Sequence, residues 1–289
     1  MRRARWEAEV SETVGLLHPG EMGSAVGATL VGSRKRVVWA SEGRSPATHA
    51  RARDIGVEDV GTLASLVQGS GVIVSVAPPH GAVDLARTVA GLGFRGIYVD
   101  ANAVAPDTAR EIGRIVEAAG ARFVDGGIIG PATRKRGAAR IYLSGPAAPD
   151  VAGLFASGPV DPVVMDGPAG AASAVKMAYG GWNKGANALL AAIRAFAIAE
   201  GVDSTLLAEW KISMPDVPAR SERAFSDNAR KAWRFVGEMD EVARAFGAVG
   251  LPSGFHEGAH DVYERLAHYK DAPTPPPVED AAARLRRAR

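Results

Sequence analysis

The 289-residue chain has no cysteine, which excludes disulfide scaffolds, thiolate zinc sites and cysteine nucleophiles. Net charge is also scarce: 34 basic against 32 acidic residues leave a formal +2. Residues 279–289 place Arg284, Arg286, Arg287 and Arg289 against only Glu279 and Asp280, so the whole excess sits at one end. Nucleic-acid binding needs a basic stripe on a folded face. An arginine-rich end after a proline run reads as a solvated tail, and no nucleic-acid partner is expected. Long apolar runs are missing too. The opening MRRARWEAEVSE has positive charges without an apolar segment behind them, and the apolar stretch near 185–200 is broken by Arg194. Neither a signal peptide nor a membrane span is expected, so the reading is a cytoplasmic protein.

What is present falls into two textures. Up to about residue 166, short β-branched runs alternate with Ala-rich amphipathic stretches such as 104–119. The runs are Val14–Leu17, Arg36–Trp39, Gly71–Val76, Gly96–Asp100, Arg122–Val124 and Arg140–Leu143. Near-continuous apolar strands of that length imply βαβ units and a parallel sheet covered on both faces. From Gly167 the strand signals stop. Helical stretches are expected at 171–200, 203–213, 218–246 and 255–269, and PTPPP at 273–277 should end the fold. The expected organisation is an α/β domain over 1–166, an all-α domain over 167–271 and a tail over 272–289.

The first strand leads through His18-Pro19-Gly20-Glu21-Met22-Gly23 into an Ala/Val/Leu-rich helix. Gly20 and Gly23 stand at the second and third glycines of G-x-G-x-x-G, and His18 replaces the first. Strand, turn and helix in that order supply free N–H groups and a positive dipole end for a pyrophosphate. About twenty residues on, Ser41 and Arg44 suit a ribose 2′-phosphate, whereas Glu42 suits a 2′-hydroxyl. The reading is a Rossmann domain binding NADP, with NAD as the alternative.

Five segments in fixed order, GLLHPGEMG, VSVAPP, YVDANAVAPDTAREI, FVDGGIIGPA and the Lys176 helix, carry a resemblance across about residues 14–270. The chain resembles the 3-hydroxyisobutyrate / 6-phosphogluconate dehydrogenase superfamily of β-hydroxyacid dehydrogenases. Within it, the chain is most similar to a bacterial branch with a phosphogluconate-dehydrogenase-like C-terminal domain. The resemblance implies a helical domain that forms a homodimer and hydride transfer between NAD(P) and a small hydroxyacid or related carbonyl compound. It sets Ala77 and Pro78 against the nicotinamide ribose and Asn102 near nicotinamide or substrate. It also makes Gly126 and Gly127 part of the substrate loop, where Ile129 replaces a frequent serine. Lys176 matches the catalytic lysine, the general acid/base; partial desolvation on an apolar helix lowers an ammonium's pKa toward that task.

Relatives place an asparagine four residues after the lysine; here it is Gly180. Asn183, Lys184 and Asn187 follow at seven, eight and eleven positions, on the same face of a continuous helix. Asn183 or Lys184 is therefore expected to contact the substrate, in a pocket widened toward a bulkier or more anionic compound. His256-Glu257-Gly258-Ala259-His260 fits H-E-x-x-H, yet no third ligand is evident and no metal is expected. His256 or His260 could instead border the active site. Thr133-Arg134-Lys135-Arg136 reads as solvated loop charge rather than a substrate-phosphate site. Trp182 and Trp233 read as packing residues, either of which could wall the pocket. An imine reductase of the same fold is the enzymatic rival, and a non-catalytic NAD(P)-binding protein the rival from another class.

Overall fold

The computed structural model describes residues 13–286; MRRARWEAEVSE, Arg287 and Arg289 lie outside the described residues. The chain divides into two compact units, Met1–Met177 and Ala178–Arg289.

The first unit is a doubly wound α/β sheet. Its strands are β1 Thr13–Leu17, β2 Arg36–Trp39, β3 Glu58–Asp59, β4 Val72–Ser75, β5 Ile97–Asp100, β6 Arg122–Ile129, β7 Ala139–Ser144 and β8 Val160–Val164. They lie in the order β3-β2-β1-β4-β5-β6-β7-β8. Every pair is parallel except β6 and β7, which run antiparallel. That hairpin departs from the all-parallel expectation, because the short 130–138 connection leaves no room for a crossover helix. Helices α1 (Glu21–Gly32), α2 (Pro46–Ile55), α3 (Leu63–Gly69), α4 (Ala82–Gly91), α5 (Pro106–Ala118) and α6 (Ala148–Ala152) join the strands. Residues Val26, Leu30, Ile55 and Phe155 cover one face of the sheet. Leu66, Val89, Ile112 and Val116 cover the other. Fully burying each such side chain contributes about 1.5–3 kcal/mol, which is why the strands read as unbroken apolar runs.

The strand order reverses about β1, between β2 and β4. An open α/β sheet leaves its ligand crevice at that point, beyond the carboxyl ends of the strands. The phosphate loop follows β1.

Helix α7, Ala171–Gly180, begins within the first unit. The boundary therefore falls after Met177 rather than at 166/167. The reason is local: β8 pairs with β7, and the first turn of α7 is bonded to Asp125 within β6 and to Ser144 at the end of β7.

The second unit is helical. A π-turn, Gly181–Gly185, continues α7 into α8, Ala186–Ala199. Then come α9 (Asp203–Ser213), α10 (Val217–Ala229), α11 (Ala232–Ala248) and α12 (Gly254–Leu266). The expected helix over 218–246 is thus two helices. The expected tail is also corrected: Val278–Leu285 forms a helix, α13, that buries Ala281, Ala282 and Leu285. The proline run ends at Pro277, which caps α13, and the apolar spacing 281, 282, 285 gives that short helix one inward face. Buried Arg194 is held within this unit by Asp203 at 2.8 and 2.7 Å and by Ser221 Oγ at 3.2 Å. No helix among the described residues is long and apolar enough to cross a membrane.

Candidate active site

The phosphate loop is built as its residue types require. Gly20 opens α1 without a side-chain cap, and the start of a helix favours an anion. A Cβ at Gly23 would stand 2.0 Å from the His18 carbonyl oxygen, whereas one at Gly20 would meet nothing within 4 Å. One glycine lets the loop close on its helix; the other leaves the approach to the backbone open. Pro19 is buried, Met22 partly buried and Glu21 exposed. These features fit a dinucleotide pyrophosphate.

At the end of β2, Arg44 Nη1 lies 2.5 Å from His18 Nε2. Burial, then the charge of Arg44, lowers the His18 pKa to about 4, so this imidazole is neutral at pH 7. Ser45 accepts the Thr48 N–H at 3.3 Å and starts α2. Ser41 contacts Asp59 of β3, while Glu42 is exposed. Arg51, which the sequence reading missed, donates from α2 to the Pro19 carbonyl at 3.1 Å. Its position in the second turn after the Ser45 cap was the available signal.

The next loop is braced from beneath. Asn102 Oδ1 accepts the Ala77 N–H at 2.5 Å, and its amide nitrogen donates to Asp100 Oδ1 and to Ser75 Oγ. Asn102 is 2% exposed. Its side chain holds the Ala77–Pro78 loop in shape. Pro78 itself is exposed.

A row of fully buried polar residues crosses the sheet at this level: Ser75, Asp100, Asp125 and Ser144 are register partners on β4, β5, β6 and β7. Asp125 accepts the Gly170 and Ser173 N–H groups at 2.9 and 3.0 Å, and the Ser173 and Ser144 hydroxyls at 2.6 and 3.0 Å. It therefore caps α7, the helix that carries Lys176. Asp100, one strand away, is the reverse case. Burial, then the charge of Asp125, pushes its carboxyl well above the usual carboxylate range.

Lys176 is partly buried and its Nζ donates to the Ile128 carbonyl of β6. Gly127 permits this: a Cβ there would come within 2.5 Å of the Ala172 carbonyl and 3.2 Å of Lys176 Cβ. Gly126 likewise faces the Asp100 carbonyl, at 3.0 Å from an added Cβ. Gly127 brings strand and helix together, and Gly126 lets β6 sit close against the end of β5. Ile129 is buried. Phosphate loop, Asn102 brace and Lys176 thus occupy one unit.

The remaining candidates, Arg134 aside, fall in the helical unit. Asn183 is exposed. Lys184 is ion-paired with Glu238 and stands 5.0 Å above the Phe235 ring. Asn187 accepts from Arg220 at 3.1 Å. The π-turn widens the helical repeat at 181–185, a departure from the continuous α-helix expected there. His256 is buried edge-on against Phe246, with centroids 4.4 Å apart. His260 Nδ1 lies 2.7 Å from Asp240. Arg134 pairs with Asp54, consistent with loop charge. Trp182 is 70% exposed beneath the Arg220 guanidinium, and Trp233 is exposed as well; neither is a core residue.

A profile described as a domain of unknown function (DUF1932) matches residues 197–266, within the helical unit. An uncharacterized 28.5 kDa protein of Methanothermus fervidus is 32% identical over 122 residues, 42% of this chain; the match spans about half of that relative, 47%. Among solved structures, a conserved protein of unknown function, described as similar to 3-hydroxyacid dehydrogenases, matches with a TM-score of 0.68. It is 27% identical, over 95% of this chain and 100% of that one. The 3-hydroxyisobutyrate dehydrogenase of Mycobacterium tuberculosis, solved with L-serine, gives 0.67 at 17% identity over 96% and 100%. A reductive aminase from Aspergillus terreus, solved with NADPH and ethyl levulinate, gives 0.55 at 19% over 96% and 99%. The likeness to these last two is one of fold.

Proposed function

We propose that this chain, which has the fold of the 3-hydroxyacid dehydrogenases and related reductases, is a nicotinamide-dependent oxidoreductase acting on a small β-hydroxyacid or related carbonyl compound. The observation that carries the reading is the union, in one unit, of an uncapped glycine-edged phosphate loop with a lysine fixed at the end of β6. A bound nicotinamide supplies or accepts the hydride. The chain's own part is the proton: protonated Lys176 Nζ donates to the substrate oxygen in reduction, and neutral Nζ takes the hydroxyl proton in oxidation. Asp125 fixes the helix, and Asn102 fixes the Ala77 loop, so neither has to reorganise during the reaction. Arg44 and Arg51, beside the Ser45-capped start of α2, support NADP over NAD.

The helical unit supports a homodimer. Trp182, Leu189 and Phe196 recur every seven residues along the π-turn and α8 and are 70%, 58% and 67% exposed. Trp182 and Leu189, with Phe255, border an apolar groove of about 400 Å³ that Ala188, Ala192 and Ala259 also line.

The test is turnover with a panel of hydroxyacids, aldehydes and imines, alongside NADPH fluorescence titration. Lys176→Ala is expected to lower kcat/KM by about 10²–10⁴-fold while NADPH still binds. Reduction of imines that survives Lys176→Ala would favour the imine-reductase alternative, to which the reductive-aminase fold likeness points. Binding without turnover of any panel member would leave a non-catalytic NAD(P)-binding protein.

A further inference from the structure

His18 runs against the local rule in both backbone and side chain. It holds φ = +64°, a left-handed conformation that costs a residue with a Cβ about 1–2 kcal/mol. It does so at the loop position where a glycine would be free of strain. Its ring faces Arg44 from the β2–α2 connection, with Nε2 2.5 Å from Nη1. Arginine keeps its protons at any accessible pH, so Nε2 accepts and the ring proton resides on Nδ1. That Nδ1 is buried and has no hydrogen-bond partner.

Three costs therefore meet at one point: a strained backbone, an orphaned ring N–H, and a guanidinium whose partner is a neutral ring. Strain of this kind persists where function uses it. A glycine at position 18 would remove the first two costs and leave Arg44 without its acceptor. An arginine free in solvent explores many rotamers, and fixing one on ligand binding opposes affinity. Arg44 held on a neutral imidazole is already ordered, and its remaining N–H groups stay open to a charged acceptor. Arg51 reinforces the arrangement by tying α2 to the Pro19 carbonyl at 3.1 Å.

We propose that His18 is a specificity-determining residue: its imidazole positions Arg44 as a preorganised receptor for a phosphate monoester, so the loop selects a 2′-phosphorylated dinucleotide over its unphosphorylated form. This rests on the dinucleotide reading above and deepens it. The unphosphorylated cofactor makes no use of Arg44 and gains nothing from its order.

The test compares dissociation constants of NADPH and NADH, read by nicotinamide fluorescence, for the wild-type protein, His18→Gly, Arg44→Ala and the double variant. Thermal unfolding runs in parallel. His18→Gly is expected to reduce the wild-type preference for NADPH over NADH about tenfold, while its melting temperature holds or rises, because glycine relieves the strain. Arg44→Ala should reduce the preference further, and adding His18→Gly to it should change nothing more. An NADPH preference unchanged in His18→Gly, or increased by it, would overturn the proposal, the second because it would mean that His18 sequesters Arg44. So would a wild-type protein that prefers NADH. Binding of neither dinucleotide by the wild type is a different failure, since it removes the cofactor reading itself.

Discussion

The two units spend their polar and apolar groups in opposite ways. In the first, the apolar surface is almost wholly covered; Leu92 and Val164 are its large hydrophobic residues left exposed among the described ones. Its loose ends are polar: the uncapped start of α1 and the orphaned His18 Nδ1. In the helical unit, Arg194 is bonded to Asp203 and Ser221, and Lys184 to Glu238. One polar atom, His256 Nδ1, is buried there without a partner, but the larger loose ends are apolar, with Trp182, Leu189, Phe196, Ile212 and Phe255 all more than half exposed. Unsatisfied polar groups call for a small polar ligand, and uncovered apolar faces call for another surface. On the reading proposed above, one unit is shaped for a cofactor and the other for a second copy of the chain.

The sharpest way to break this contrast is to open the paired core of the helical unit. Asp203→Ala would leave Arg194, 4% exposed, as an uncompensated buried charge. Removing one partner of a buried pair costs about 3–5 kcal/mol. Denaturant unfolding should show that loss, whereas Asp84→Ala, at an exposed pair with Arg87, should cost no more than about 1 kcal/mol. Equal effects would mean that Asp203 is not the counter-ion of Arg194.

A smaller effect is expected at the apolar stripe. Truncating an anchor at the centre of an interface costs about 2 kcal/mol or more of association energy. Phe196→Ser combined with Leu189→Ser should convert a dimer to a monomer at micromolar concentration, read by light scattering, and leave monomer stability near the wild-type value. A wild-type protein that is already monomeric would remove the dimer and leave the exposed stripe without an account.

Much of this division was legible in the residues. Strand β2 and helix α9 match their expected spans, Arg36–Trp39 and Asp203–Ser213, because Gly, Asp or Pro punctuates a clear period on either side. Edge strands β3 and β8 were missed. The first has two residues, and the second carries Pro162, a residue that edge strands tolerate but that breaks the usual signal. The π-turn was illegible, since nothing in Gly-Trp-Asn-Lys-Gly distinguishes a π from an α repeat. Within the site, glycine spacing marked the phosphate loop and the family motif marked Lys176. The roles of Asp125, Asp100 and Asn102 depend on strand order and register, which place residues 75, 100, 125 and 144 side by side. No local pattern encodes that row.

The row also yields the subtlest test of the first unit. Asp125 accepts four donors, while Asp100 beside it is fully buried and held above the usual carboxylate range, first by burial and then by the charge of Asp125. A carboxyl whose folded pKa is raised contributes stability that is complete below its unfolded pKa and is lost as pH rises through the folded value. Asparagine copies the shape of the neutral acid and keeps an oxygen for the Asn102 donor, but it does not titrate. Asp100→Asn should therefore match the wild type to within about 1 kcal/mol near pH 4 and gain on it as pH rises toward 8. Asp125→Asn should lose stability throughout that range, because its amide nitrogen would face donors. If Asp100→Asn loses stability relative to the wild type as pH rises, Asp100 is ionised in the folded protein. The polar row would then hold two charges side by side, and the sharp difference between its two aspartates would vanish.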